Sequence, residues 1–178
     1  TSNGVINLCP DKDAVYRENK LTLYRYRPLA PRLNVPPVLI VYALVNRPYM
    51  MDLQPDRSLI RRMLELGLDI YLIDWGYPDG ADRFLDLDDY INGYVDRCLD
   101  VVLREHGIPS ANLLGVCQGG AFSLCYTALH PERVRNLITM VTPVDCHTDD
   151  NLLAKWARGL DVDAMVDAHG VVPGDVLN

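Results

Sequence analysis

Unbroken apolar runs and helix-spaced apolar positions take turns along most of this chain. Residues Val38 to Leu44, introduced by Pro36-Pro37, are apolar throughout, and so is the interior of Asp69 to Asp74. Such runs suit parallel strands covered on both faces. Asn112 to Val116 predicts a third buried strand, and Val134 to Val141 supplies a fourth strand, ending at Thr142-Pro143. Leu21 to Arg27 alternates instead, as a strand with one solvated face would, and Pro28 ends it. Helices fill the gaps. One opens at Asp56 or Ser58 and runs to Leu66, with Gly67 as its stop. After a loop from Gly76 to Asp82, a longer helix spans Asp86 to His106, and Gly107 stops it. Its apolar positions Leu87, Ile91, Tyr94, Val95, Cys98 and Val102 fit helical spacing. Another covers Ala121 to His130, ahead of Pro131. This alternation indicates an α/β fold, a mostly parallel sheet with helices on both faces. Beyond Pro143 the rhythm lapses, and Asp145 to Asn178 mixes acidic residues with short helical pieces.

Composition narrows the function classes. The 178 residues suffice for one domain with a real core, and 49% apolar against 23% charged residues describes a globular chain. A formal net charge of −7 leaves no overall basic footprint for nucleic acid. No apolar run approaches the roughly 18 residues of a membrane span. No signal peptide precedes the first strand, but the chain starts at Thr1 rather than Met, so targeting stays open. The five cysteines (Cys9, Cys98, Cys117, Cys125, Cys146) lack C-x-x-C spacing. Neither a disulfide framework nor a metal site is suggested, and reduced thiols of a cytosolic protein are the simpler reading. Cys98 and Cys125 fall on apolar helix faces, as small core residues would.

Chemistry concentrates at Gly115-Val116-Cys117-Gln118-Gly119-Gly120, between a predicted strand and a predicted helix. That is the context of a nucleophile elbow, with cysteine in the usual place of serine. Small residues two positions to either side let strand and helix approach closely. The turn aims the backbone N–H of Gln118 at a developing oxyanion. The string alone also fits an ordinary buried cysteine beside a tight turn; the flanking strand and helix favour the nucleophile. A second oxyanion donor belongs on the loop after the Val38–Leu44 strand. There Val45-Asn46-Arg47-Pro48 offers the backbone N–H of Val45, although these residues could merely turn the chain out of the sheet.

A cysteine nucleophile reacts as its thiolate, which a helix N-terminus and a nearby imidazole favour. In hydrolase-like sheets the acid and then the histidine follow the nucleophile on loops after later strands. Here one strand remains. His106 and His130 end helices, His147 follows the last strand, and His169 sits in the irregular tail, so none is favoured as base. Asp74 reads equally as a loop cap, and Asp145 better as a turn former than as an acid.

Val15 to Tyr26, Pro37 to Tyr49, Tyr71 to Gly76 and the lipase-box-like Gly115 to Gly120 together cover much of the chain. In these segments it resembles the catalytic subunit of polyhydroxyalkanoate synthases of the two-component, class III type. The resemblance implies an α/β-hydrolase-like fold and an acyltransferase that polymerises (R)-3-hydroxyacyl-CoA with release of CoA. It makes Cys117 the acyl-carrying nucleophile and the backbone amides of Val45 and Gln118 the oxyanion donors. It implies no metal and no cofactor beyond the coenzyme A that the substrate carries. A second synthase subunit is the implied partner, and a homodimer is compatible. The implied location is cytoplasmic, at the surface of polyester granules. The family's aspartate and histidine follow a cap region and have no counterpart here. On that basis residues 1–143 form a partial catalytic core and 144–178 the beginning of a cap or lid. The fold is then incomplete, with later strands absent, and the polypeptide inactive by itself.

Two other readings stay open. One is a cysteine hydrolase of the dienelactone-hydrolase kind, with the same elbow and water as acceptor. The other is a non-catalytic fragment that keeps at most a binding ability. Insoluble polyester as against free hydroxy acid separates synthase from hydrolase.

Overall fold

The computed structural model describes residues 10–45, 47–149 and 151–172; Cys9 and Asn46 lie outside them. The strands are β1 (Lys12–Glu18), β2 (Leu21–Tyr26), β3 (Val38–Val41), β4 (Asp52–Gln54), β5 (Arg57–Ser58), β6 (Ile70–Asp74), β7 (Ala111–Val116) and β8 (Val134–Met140). The helices are α1 (Leu59–Glu65), α2 (Asp96–His106), α3 (Gln118–Leu129), α4 (Leu152–Ala157) and α5 (Val162–His169). Six strands form one sheet in the order β1-β2-β6-β3-β7-β8, while β4 and β5 make a small separate hairpin. β2 pairs antiparallel with β1 and β6; β6, β3, β7 and β8 are parallel neighbours.

The apolar runs bury because alternate side chains enter different cores. Leu39, Val41, Tyr71, Ile73 and Leu113 face one layer, built by α2, the helical segment before it and α3. Val38, Ile40, Ile70, Leu72, Leu114 and Val116 face the other, closed by Ile60 and Leu64 of α1. From β3 the chain passes to β6 on one side and then to β7 on the other. The carboxyl ends of β3 and β7 therefore lie at the reversal of strand order, where open parallel sheets bind ligands.

Helix starts follow from local chemistry. Between the two candidate openers of α1, Ser58 is the cap: its hydroxyl accepts the Arg61 N–H at 2.9 Å. Asp86 and Asp89 each accept the other's backbone N–H at 3.0 Å, a reciprocal cap that opens the second helix. That helix is not uniformly α. Asp89–Val95 winds in wider π-type turns before α2 begins.

Several expectations need correcting. β1 went unread because most of its side chains face solvent, so it has no buried face to pattern. The small β4–β5 hairpin was also unread. β3 ends at Val41, since the chain bends after the still buried Tyr42 and Ala43. Leu87 is exposed, standing at the helix's first turn outside the packed layer. Cys98 is fully buried as expected, but Cys125 is exposed. α3 is apolar almost all round, so periodicity could not say which face the sheet would cover. Among the described residues no helix is long and apolar enough to cross a membrane.

Candidate active site

The Gly115–Gly120 segment folds as a strand–turn–helix junction. Cys117 sits between β7 and α3 with φ 55° and ψ −125°, a conformation that L-residues rarely adopt. Strain of this kind costs about 1–3 kcal/mol and persists where the surroundings enforce it. The surroundings here are specific. The Cys117 N–H donates to the Met140 carbonyl of β8 at 2.9 Å, and its own carbonyl accepts the Gly120 N–H at 2.9 Å. A Cβ on Gly115 would lie 2.5 Å from the Gly120 Cα. One on Gly119 would overlap the Val41 carbonyl oxygen, and one on Gly120 the Thr142 hydroxyl. Three glycines thus let β7, α3 and the end of β3 meet without side chains between them.

The junction sets Gln118 directly after Cys117, and the loop that carries Val45 leaves β3 beside it. Val41 pairs with Gly115, so the exit of β3 runs beside the elbow. Gln118 is the first residue of α3, where a backbone N–H has no intrahelical partner. Val45 lies in the turn beyond β3, with 66% of its surface exposed. The Leu44 N–H is already engaged, donating to Gln118 Oε1 at 3.1 Å. Trp75 Nε1 donates to the Tyr42 carbonyl at 2.9 Å, and Arg47 donates to the Gly76 carbonyl at 3.0 Å while lying over the Tyr77 ring. Trp75 in turn meets Tyr90 and Phe122 edge to face. A cavity of about 80 Å³ opens beside this loop, lined in part by Leu44, Trp75, Leu85, Tyr90 and Tyr94. Burial pushes the Tyr42 phenol up, and the neighbouring Cys117 adds to the shift.

Cys117 is partly exposed, whereas burial pushes the Cys98 thiol far above the ordinary range and leaves it inert. The histidines take other partners. His106 Nε2 lies 3.0 Å from the Tyr71 hydroxyl and 3.4 Å from Asp69, at the opposite, amino end of the parallel strands. His130 follows α3, about 18 Å from the elbow by helical rise, with its ring on Asn92. His147 is exposed, 3.9 Å from Asp145, and His169 closes α5. Asp74 accepts the Gly76 N–H at 3.1 Å and Asp145 the His147 N–H at 2.8 Å, both as loop formers. Sequence reasoning assigned no role to the side chains of Gln118 and Trp75. One signal was available: Gln118 is a lone amide at the head of a helix otherwise made of small and apolar residues.

Comparison with known proteins places this geometry. The family model described as the alpha/beta hydrolase fold matches residues 36–166. The chain belongs to the alpha/beta hydrolase fold family. Residues 7–63 also match the model for the N-terminus of poly-beta-hydroxybutyrate polymerase (PhaC). The poly(3-hydroxyalkanoate) polymerase subunit PhaC of Allochromatium vinosum is 63% identical over 169 residues, covering 94% of this chain and 48% of that protein. Its counterpart in Thiocystis violacea is 58% identical over 168 residues, covering 94% and 47%. The chain therefore spans about half the length of the curated relatives it matches. A mature lipase of Bacillus licheniformis shares the fold at TM-score 0.57 and 20% identity, over 88% of this chain and 60% of the lipase.

Proposed function

We propose that this chain carries the nucleophile and oxyanion cradle of an acyltransferase that polymerises (R)-3-hydroxyacyl groups delivered as coenzyme A thioesters. The observation that carries the reading is the strained Cys117 at the β7–α3 junction, in a chain similar to poly(3-hydroxyalkanoate) polymerase subunits. The Cys117 thiolate attacks the thioester carbonyl, and the oxyanion that forms is held by the backbone N–H groups of Gln118 and Val45. With the Leu44 amide taken by Gln118 Oε1, Val45 offers the next amide along the β3 exit. Collapse breaks the bond to coenzyme A, which leaves as its thiol after protonation, and the acyl group stays on Cys117. The hydroxyl of a growing chain then attacks this thioester, forms the ester bond and returns the thiolate. Exchanging one thioester for another is nearly neutral in energy, so the acyl group remains activated for the second step.

The second step needs a base for the hydroxyl proton. His106 and His130 are engaged elsewhere, and we assign that role to the part of its relatives' length that this chain does not span. We assign residues 144–178 to the opening of a lid, a reading supported by the pairing of Arg83, after β6, with Asp167 of α5 at 2.6 Å. A second synthase subunit and a place on the polyester granule surface belong to the same proposal. The test uses the polypeptide extended to its relatives' length and supplied with 3-hydroxybutyryl-CoA. Thiol release and insoluble polyester are expected, both abolished by Cys117→Ala. Free hydroxy acid as sole product would make the protein a hydrolase, and turnover by the Ala variant would remove Cys117 from the mechanism.

A further inference from the structure

The start of α3 meets the exit of β3 twice over. The Gln118 carboxamide oxygen accepts the Leu44 N–H across 74 positions of sequence. The next residue, Gly119, lies so close that a single added carbon would overlap the Val41 carbonyl. From the other flank Trp75 holds the Tyr42 carbonyl and Gly76 accepts from Arg47. The loop is thus held by hydrogen bonds on both sides of Val45.

We propose that the Gln118 side chain is a positioning residue, setting the distance between the two amides of the oxyanion cradle. One residue then governs both halves: its backbone N–H is one donor, and its carboxamide holds the loop that carries the other. The inference rests on the proposed acyl-transfer reading, but a cradle serves attack on the thioester whether the final acceptor is hydroxyl or water.

A neutral replacement of similar length separates positioning from mere packing. In the polypeptide extended to its relatives' length, Gln118→Met removes the acceptor and keeps the bulk. Gln118→Asn keeps the amide and withdraws it by one methylene. Each is expected to lower kcat for coenzyme A release about 10- to 100-fold, with KM changed by less than about 3-fold. Alkylation of Cys117 by iodoacetamide, which needs the thiol but no oxyanion cradle, should proceed at the unmodified protein's rate. Unchanged kcat in either folded variant overturns the proposal. So does a fall in alkylation that parallels the fall in kcat, because the side chain would then be shaping the elbow itself. If Gln118→Met fails to fold, the Asn variant decides alone. Failure of the acyl-transfer reading shows separately, as coenzyme A release that survives Cys117→Ala.

Discussion

β7 and β8 run side by side and parallel, in register from Leu113–Leu137 to Val116–Met140. β7 is buried along nearly its whole length, while β8 lies largely in solvent, with Ile138 50% and Met140 40% exposed. Both read as strands in the sequence. The difference comes from what lies beyond each. β7 has strands on both edges and a core layer on each face, whereas β8 ends the sheet. An apolar run therefore predicts that a strand forms; how deeply it is covered depends on neighbours that the run itself does not encode. The same holds for α3, whose inner face carries Phe122 and Tyr126 into the core while Cys125 and Leu129 stay exposed. An apolar sheet edge with unpaired backbone groups is also a template for pairing with another strand.

The contrast can be attacked at its strongest point first. Gly119→Ala forces a carbon into the Val41 carbonyl, and a loss of about 3 kcal/mol or more is expected in urea unfolding. A loss below about 1 kcal/mol would mean that α3 can back away and that the close approach is not required. Next comes the buried strand. Leu113→Ala empties a fully buried site and should cost about 3 kcal/mol. Smallest is the edge. Ile138→Lys should change stability by less than about 0.5 kcal/mol and reduce self-association in sedimentation velocity. A stability loss comparable to that of Leu113→Ala would show that β8 is covered after all, by a second copy of the chain.

Much of the frame was legible because it depends on short-range regularities. The runs Val38–Val41 and Ile70–Leu72 are apolar without interruption, and Ser58, Gly67 and Gly107 punctuate helices by mechanisms that act within one turn. The elbow was legible too, because its three glycines answer a local steric demand. What escaped was either unpatterned or distant. β1 shows a solvated strand on the sheet's other edge, and its Lys12, over the rings of Tyr24 and Tyr26, carries no apolar signal. The bonds from Gln118 to Leu44 and from Trp75 to Tyr42 join residues far apart in the chain. No spacing rule links such pairs; the sheet order creates them. His106 and His130 are engaged at helix ends, His147 is exposed beside Asp145, and His169 closes α5.

The peptide hydrogen of Cys117 ends on the carbonyl of Met140, a residue of the sheet's outermost strand. The backbone that bears the Cys117 thiol is thereby one hydrogen bond from an edge strand of the described sheet. A displacement of β8 along this edge is carried, through that one bond, to the backbone of the elbow.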